Sequence, residues 1–411
     1  MCWLGVIAQG CQQYWQPIFI TLQLTEPYFD YPQKLSIFGE ISQLMRNLFY
    51  IVFMLGVALL PQLNMSQSVE KMQEQAMPKV VVRRARIVAA GDLMQHTSQI
   101  SAALQKDGRY NYSKSFQYIA PYFRQADLAI VNLETTLSYD GPYTGYPAFC
   151  APWAVADALQ EIDIDLVALA NNHCCDKGGR GIDATCSILD SYGISRTGVF
   201  SDSLDYKMNR VCYLKRNDIR FAVVNYTYDI NSPAIPKNRI VNKIDTIAIA
   251  HDLATIDRSK VDCIVAVMHW GYEYHRQPNR EQRRVAEFLQ RNGVDLIIGS
   301  HPHVVQPAER STDGRITLYS LGNLVSNQRK RYSDGGLIAT IDVEIRDSIV
   351  KADTISTQKQ YRLSLMPVWV RLPDYAIIPQ SVGDSLPLDA TSKAAYELFM
   401  ADTKELLELL E

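Results

Sequence analysis

The sequence predicts an α/β fold in which sheets and helices form layers, and two observations support this prediction. Short apolar runs recur from about residue 84 onward, and each is followed by a polar turn and a helix-like segment. The runs are apolar along their whole length, which is typical of strands in a sheet buried on both faces. The predicted strands lie at 85–92, 127–134, 165–172, 219–227, 262–270, 295–300, 316–323 and 336–345.

Helices are predicted between these strands. Over 280–292 apolar residues repeat at helical spacing, and a glycine then supplies the stop. A second helix is predicted over 183–192, which also ends before a glycine, and a charged helix over 392–410. We therefore expect one domain over 79–375, with a C-terminal helical tail over 376–411 that packs on the same domain.

The composition excludes several classes of protein. A chain of 411 residues that is 47% apolar and 21% charged is typical of a globular protein, not of a disordered, collagen-like or polytopic membrane protein. With 41 Lys and Arg against 44 Asp and Glu, the net charge is −3. Because no long-range positive field is available, no nucleic-acid partner is expected. An anionic substrate would have to be held locally, by a few groups or by a metal.

The eight cysteines include no CxxC pair, so the sequence indicates neither a zinc ribbon nor a thioredoxin-like site. The favoured interpretation is that they are small buried apolar residues. A single disulfide stays the alternative if the protein is exported, because exported proteins fold in oxidising compartments. The candidates for it are Cys150, Cys174, Cys175, Cys186 and Cys212.

The most apolar segment of the chain is 48–60, which has thirteen residues. A membrane-spanning helix needs about 20 residues, whereas a signal-peptide core has about 7–15. Met45 and Arg46 precede it as a start-like methionine and a positive residue. We therefore expect 1–44 to be a non-native extension and 45–78 to be a signal peptide or membrane anchor plus a linker, with a buried helix as the alternative.

Polar side chains stand at the carboxyl ends of five predicted strands, where open α/β sheets form their binding crevice. Carboxylate, imidazole and amide groups are suitable ligands for divalent Zn, Mn or Fe. Two metals, about 3.5–4 Å apart in such sites, would explain the number of ligands. One such residue alone is usually a cap or a packed side chain, but five of the seven histidines fall in these motifs. The motif residues are Asp92, His96, Glu134, Asn171, Asn172, His173, His269, His301 and His303.

Six motifs in this order resemble the CapA family of poly-γ-glutamate capsule synthesis proteins over roughly residues 85–375. That family is similar to calcineurin-like metallophosphoesterases, so the resemblance implies a four-layer α/β/β/α sandwich with a centre for two metals. The motifs are GDLMQH (91–96), NLETTLS (132–138), NNHCCDKGGRGI (171–182), HWGYEY (269–274), GSHPHVVQP (299–307) and YSLGNL (319–324).

The resemblance also implies roles for individual residues. His173 corresponds to the histidine that contacts the substrate or protonates the leaving group. Two departures from the superfamily pattern concern Met94, where the superfamily has a histidine, and Glu134, where it usually has an aspartate. They leave open whether one or two ions bind, and ordinary phosphoesterase activity does not follow from the resemblance. The implied metal ligands are Asp92, Glu134, Asn172, His269, His301 and His303.

Five neighbouring residues are further candidates for the site. Asp176 is expected to orient an imidazole, with a loop cap as the alternative. Glu273 is expected to be a general base or a contact for a substrate amine, with a structural ion pair as the alternative. Arg180 is a candidate clamp for a carboxylate or phosphate. Asn171 and Asn323 are expected to contact the substrate, with a turn as the alternative for Asn323.

These residues favour a metal-dependent, hydrolase-like protein, exported to the cell envelope, that acts on or handles poly-γ-glutamate or a related acidic polymer. In that reaction His173 would protonate the leaving group, and transfer is an alternative to hydrolysis. Two other functions stay open: a non-catalytic assembly factor that binds the polymer, and a metallophosphoesterase for a small phosphoester. Expected partners are the acidic polymer, an envelope synthesis complex and, through 48–60, a membrane.

Overall fold

The computed structural model describes residues 79–350 and 353–408, together with the single residues Met45 and Leu48. The expectations for 1–44 and for 45–78 otherwise lie outside the described residues. Within the described chain, every helix is too short or too polar to cross a membrane.

Each predicted run overlaps a strand of the described chain, and the structure also has strands that the runs did not predict. The strands are β1 (Lys79–Leu93), β2 (Leu128–Leu133), β3 (Thr136–Ser138), β4 (Cys150–Pro152), β5 (Leu166–Ala168), β6 (Ser195–Thr197), β7 (Val199–Phe200), β8 (Cys212–Arg216), β9 (Ile219–Thr227), β10 (Ile240–Val241), β11 (Cys263–His269), β12 (Leu296–Ser300), β13 (Ala308–Arg310), β14 (Ile316–Leu318), β15 (Asn323–Val325), β16 (Gly335–Val350), β17 (Asp353–Val370) and β18 (Ile377–Pro379).

The helices alternate with these strands. They are α1 (Thr97–Ala103), α2 (Ser113–Phe116), α3 (Ala120–Phe123), α4 (Ala154–Glu161), α5 (Gly178–Ser191), α6 (Ser203–Asn209), α7 (Thr246–Ala254), α8 (Arg280–Arg291), α9 (Gln380–Gly383) and α10 (Ala390–Glu408). Helix α8 begins where the Asn279 side chain accepts from the Gln282 N–H, and the Gln282 side chain accepts in return from the Asn279 N–H.

Two large sheets form the centre of the fold. The first has the strand order β18-β17-β16-β1-β2-β5-β6, with β15 also paired to β1. Strands β1, β2, β5 and β6 are parallel, whereas β16 and β17 form a long antiparallel hairpin. The second sheet has the order β13-β14-β12-β11-β9-β8, and its four central strands are parallel.

Three apolar cores separate four layers, because successive residues of a strand face opposite sides of its sheet. On β1, Ile87 faces the core between the two sheets, whereas Val88 faces the core under α4 and α5. On β9, Phe221 joins the core between the sheets, whereas Ala222 faces α7 and α8. This arrangement explains why the strands are apolar throughout, and it confirms the predicted α/β/β/α sandwich.

One predicted strand is wrong. The run 316–323 is two strands, since β14 belongs to the second sheet and β15 to the first. Between them the chain crosses from one sheet to the other through Gly322, whose φ is +67°. Residues on both sides of the crossing are buried. An uninterrupted apolar run therefore could not reveal the change of sheet.

The C-terminal segment completes the first sheet before it forms a helix. The segment expected to be helical from residue 376 begins with β18, which pairs with β17. Helix α10 then packs Tyr396, Phe399 and Met400 against Trp369 and Ile378.

Candidate metal centre

The carboxyl ends of strands from both sheets bring six of the predicted ligands together. Asp92 lies near the end of β1, Glu134 directly follows β2, and His269 ends β11. Two groups of side chains have ligand atoms within 4.8 Å of one another, and both groups contain Glu134. These side chains are between 0 and 3% exposed. The groups are Glu134, His269 and His301, and Asp92, Glu134 and His303.

The turn after β12 directs two imidazoles into this cluster. His301 and His303 have φ values of +94° and +56°, in a backbone region that non-glycine residues rarely adopt. Such a conformation costs about 1–3 kcal/mol and persists where the surroundings enforce it. Here the His301 N–H donates to Asp92 Oδ2 at 3.2 Å, and His303 Nδ1 lies 3.1 Å from the same oxygen. The geometry of the turn is thus tied to Asp92.

His269 is held between an amide and a hydroxyl group. Its Nε2 lies 2.8 Å from Asn172 Oδ1, and its Nδ1 lies 2.9 Å from Ser300 Oγ. Burial, followed by the neighbouring His301, lowers the pKa of His269 well below its ordinary value. Burial also lowers the pKa of His301 to about 3, and the nearby His303 adds to this effect. Both imidazoles are therefore neutral at neutral pH, which is the form that binds metals.

Glu134 is a buried carboxyl group, and one of its two oxygens accepts no hydrogen bond from the described residues. Burial first, and then the negative charge of Asp92, raise the pKa of Glu134 well above its ordinary value. Among the described residues, neither Glu134 Oε1 nor His301 Nδ1 has a hydrogen-bond partner. A buried polar atom without a partner costs about 1–3 kcal/mol. A divalent cation would satisfy both atoms, so the residues present fit a metal.

A histidine–aspartate pair, His173 and Asp176, lies next to the cluster. Asp176 Oδ2 lies 2.8 Å from His173 Nδ1 and also accepts from the Phe149 N–H at 2.7 Å. The Phe149 ring meets the His173 ring edge-on, with centroids 4.6 Å apart. The Asn231 side-chain nitrogen lies 3.4 Å from His173 Nε2. Asp176 therefore holds Nδ1, and Nε2 is the ring nitrogen that faces Asn231.

The four remaining candidates lie in different surroundings. Asn171 is fully buried and donates to the Leu133 carbonyl at 2.8 Å. Asn323 is also 0% exposed, and its Oδ1 lies 3.1 Å from His303 Nδ1. Glu273 is exposed on the loop after β11. Arg180 is exposed in the first turn of α5, and within the described chain it makes no ion pair or side-chain hydrogen bond.

Sequence reasoning missed Asn132, which connects three ligands. Its Nδ2 donates to Asp92 Oδ1 at 2.8 Å and lies 3.4 Å from both Glu134 Oε2 and His269 Nδ1. A single polar residue within the apolar run of β2 was the signal that could have revealed it. Ser300, which contacts His269, carries no comparable signal, because serine is common at strand ends.

Tyrosine rings cover one side of the cluster. The Tyr228 ring lies 4.4 Å from the His301 ring, measured between centroids. Burial raises the pKa of Tyr228 to about 12, and the negative charge of Glu273 contributes to this increase. The Tyr274 ring lies 6.1 Å from the His303 ring, so the loop that carries the preceding residue, Glu273, borders the site.

Neither Met94 nor His96 is among the two ligand groups. Met94 is 2% exposed, and the His96 imidazole Nδ1 accepts from the Asn327 N–H at 3.2 Å. Burial lowers the pKa of His96 to about 4. Its ring packs edge-on against Phe149, with centroids 5.1 Å apart, so it supports the wall next to His173.

Residues 86–328 match the family model described as bacterial capsule synthesis protein PGA_cap. This match covers more than half of the chain and includes every candidate residue named above. The chain belongs to the PGA_cap family. The predicted resemblance to CapA proteins is thereby confirmed.

Three known proteins illustrate the similarity of this PGA_cap chain. It is 28% identical over 218 residues to the PGA biosynthesis protein CapA of Bacillus subtilis (strain 168), covering 52% of this chain and 57% of that protein. It is 26% identical over 261 residues to the capsule biosynthesis protein CapA of Bacillus anthracis, covering 60% and 61%. The match thus spans about three fifths of each relative. The crystal structure of the calcineurin-like phosphoesterase YfkN from Bacillus subtilis is 12% identical, covers 79% of this chain and 99% of that chain, and has a TM-score of 0.40.

Proposed function

We propose that this PGA_cap protein is a metal-dependent hydrolase that acts on poly-γ-glutamate or a related acidic cell-surface polymer. The observation that carries the proposal is the pair of unsatisfied buried atoms, Glu134 Oε1 and His301 Nδ1, in a cluster next to the His173–Asp176 pair. The polymer is suggested by the relatives, one of which is named for PGA biosynthesis and another for capsule biosynthesis.

The proposed centre holds divalent Zn, Mn or Fe, as one or two ions. Glu134, His269 and His301 would hold one ion together with Asn172, whose Oδ1 already lies against His269. Asp92, Glu134 and His303 would hold the other. A divalent cation supplies Lewis acidity and favours ionisation of water at neutral pH. Because Glu134 belongs to both groups, its loss should remove both sites.

The chain's own residues would orient the substrate and move a proton. In amide hydrolysis, water adds to the carbonyl carbon, the C–N bond breaks, the new carboxyl group keeps the oxygen of water, and the proton lost by water passes to the solvent. The departing nitrogen takes its proton from His173 Nε2, while Nδ1–H stays on the Asp176 side. Glu273, exposed at the edge, would contact the departing amine. Arg180 would hold a distal carboxylate.

Two buried amides would act by positioning. Asn171 Oδ1 accepts from the His173 N–H at 3.1 Å, and Asn323 Oδ1 contacts His303. Because both side chains are fully buried, we propose that they fix the two histidines and do not contact the substrate themselves.

We further propose that the protein acts at the cell envelope, with 79–375 and 376–411 forming one domain. Export or anchoring would depend on 45–78, and an envelope synthesis complex would be the partner. Fusion of residues 45–75 to a periplasmic reporter tests this proposal. A fusion that shows no reporter activity in the periplasm, and so is not exported, would contradict it.

The main experiment compares metal content and turnover for the purified full chain. Metal is measured by mass spectrometry, and new amines are measured with oligo-γ-glutamate as substrate. The double variant His301→Ala/His303→Ala should lose both metal and amine release. His251→Ala, at an exposed histidine on α7, is the matched control. A metal-free wild-type chain would contradict the metal centre.

The same experiment separates the alternatives. Binding of the oligomer by the metal-loaded chain without release of amines would indicate a non-catalytic assembly factor. Cleavage of para-nitrophenyl phosphate without cleavage of the oligomer would indicate a phosphoesterase. Either result would contradict the proposed hydrolase.

A further inference from the structure

A loop with three consecutive cations, Arg329, Lys330 and Arg331, connects β15 to β16 at the side of the metal centre. We propose that Lys330, assisted by Arg329, forms a subsite for a carboxylate of the substrate and so selects an acidic chain. This inference rests on the proposed function, because it concerns the specificity of the same site. It agrees with the expectation from composition that an anionic substrate would be held locally, by a few groups.

The loop is fastened to a residue that also positions a predicted ligand. Asn323 Nδ2 donates to the Ser333 carbonyl at 2.7 Å and to Gln328 Oε1 at 3.0 Å. The Oδ1 of the same side chain lies 3.1 Å from His303 Nδ1. A tight turn places Lys330 between these anchors, since the Ser333 hydroxyl donates to the Lys330 carbonyl at 2.9 Å. The position of the loop is therefore coupled to that of His303.

The Lys330 side chain reaches back toward the site across a tyrosine. Its Nζ lies 3.8 Å from the centre of the Tyr274 ring. The same ring lies 6.1 Å from the His303 ring, measured between centroids. Tyr274 is itself held in place, because its N–H donates to the Pro302 carbonyl at 2.8 Å. A cation above a tyrosine face is attracted by the ring and keeps N–H donors for an anion.

The three cations differ in their partners. Arg331 forms an ion pair with Asp402 at 2.8 Å, so its charge is used to hold α10. Among the described residues, no carboxylate lies within 4.0 Å of the charged atoms of Lys330 or Arg329. Arg329 donates to the Val370 carbonyl from Nη1 at 3.2 Å and to the Ser326 carbonyl from Nη2 at 3.5 Å, which leaves its charge without a carboxylate partner among the described residues. Two cations next to the centre thus remain available for an acidic ligand.

A substrate with a carboxylate on every repeat unit suits this arrangement. If one linkage lies at the centre, the carboxylate of a neighbouring unit can pair with Lys330. Inorganic phosphate would also be attracted by two cations, but it is compact and has no second group at a fixed distance. A subsite for carboxylate and a subsite for phosphate therefore predict different changes in ligand affinity for the same Lys330 variant.

The test measures binding by isothermal titration calorimetry with the full chain. The ligands are oligo-γ-glutamate and the same oligomer with its α-carboxylates converted to carboxamides. Wild type should bind the acidic oligomer about tenfold more tightly than the amide form, as one charge-assisted contact allows. Lys330→Gln should lose this preference, and Lys330→Arg should keep most of it. Lys260→Gln is the control, because Lys260 lies beyond the opposite end of β11 from His269.

Metal content and thermal unfolding of each variant verify that the centre and the fold are intact. An unchanged preference in Lys330→Gln would overturn the subsite while leaving the proposed hydrolase standing. An equal loss of affinity for inorganic phosphate in Lys330→Gln would overturn its assignment to a carboxylate. If wild type binds neither oligomer, the proposed function fails first, and the subsite fails with it.

Discussion

Asp176 Oδ2 lies 2.8 Å from His173 Nδ1, and both side chains are almost completely buried. The contact fixes the orientation of the imidazole, because the same carboxylate oxygen is anchored by the Phe149 N–H. This fixed orientation agrees with the proposed role of His173 Nε2 as a proton donor, and a loop cap would use Asp176 in the same way. A substitution that keeps the shape of Asp176 distinguishes these roles.

We predict that Asp176→Asn lowers kcat for the oligomer about 10- to 100-fold, as the loss of an orienting carboxylate typically does. KM should change little, because the Asp176 side chain is almost completely buried. Asp190→Asn, on the exposed end of α5, is the control. An unchanged kcat with normal metal content would mean that Asp176 only shapes the loop.

Much of the fold could be predicted because strands that are buried on both faces leave a plain signal. The parallel strands β9 and β11 lie in the predicted runs 219–227 and 262–270. The crossing at Gly322 could not be predicted, because Leu318 and Asn323 are equally buried in different sheets. The choice of sheet depends on long-range pairing with Asp92, which apolar periodicity does not encode.

The candidate site could be predicted from those residues that lie at strand ends, because the strand ends converge. Asp92 lies near the end of β1 and His269 ends β11, in different sheets, and both contact Asn132 Nδ2 in one cluster. Residues that lie on loops could not be assigned to the site from the sequence, because the sequence does not show which loops meet. The Tyr274–Lys330 contact joins two loops that are far apart in sequence, and neither residue ends a strand.

We predict that Glu134→Gln stabilises the metal-free protein at high pH. Burial raises the pKa of Glu134, so the folded chain holds this proton more tightly than the unfolded chain. The stability of the metal-free wild type should therefore decline as pH rises from the unfolded value, about 4.3, through the folded pKa. The variant lacks this decline, and its melting temperature should exceed that of the wild type most clearly at about pH 8.

When metal is bound, we expect the wild type to be more stable than Glu134→Gln. A cation present at about 1,000 times its Kd adds about 4.1 kcal/mol of stability to the wild type. Glu134→Gln should not gain that increment, because a neutral amide replaces the carboxylate shared by both ligand groups. Glu287→Gln, at an exposed glutamate on α8, is the control for loss of charge. An equal metal-induced shift in Glu134→Gln and wild type would refute the role of Glu134 as a ligand.

At the opposite end of the sheets, we predict that Asp262→Asn destabilises the fold by about 1–3 kcal/mol at neutral pH. Asp262 Oδ2 lies 3.0 Å from Arg83 Nη1 and 2.8 Å from Arg220 Nε. Burial alone would raise the pKa of Asp262, but hydrogen bonds from Arg220 and Arg83 outweigh it and hold that pKa well below its usual range.

Because this pKa is depressed, the stabilisation from Asp262 is complete above its unfolded value, about 3.9, and is lost as pH falls through the folded pKa. Urea unfolding should therefore show a large difference between wild type and Asp262→Asn at about pH 7 and a smaller one at about pH 2. Asp313→Asn, in an exposed turn, should show little difference at either pH. A difference that is constant with pH would exclude ionic stabilisation by Asp262.

Gly322→Ala should both destabilise the fold and weaken metal binding. Gly322 has a φ of +67°, and an added Cβ would lie 3.1 Å from the Gly335 carbonyl oxygen and 3.2 Å from the Val305 nitrogen. The Gly322 carbonyl also accepts from the Asp92 N–H at 2.9 Å, so a shift of this crossing moves a ligand.

Gly314→Ala provides a matched control, because Gly314 has a φ of +86° but open space around its Cβ position. The control should cost about 1–2 kcal/mol in urea unfolding, from the backbone conformation alone. Gly322→Ala should cost more and should raise the Kd for metal, whereas equal costs with equal metal affinities would show that the crossing does not position Asp92.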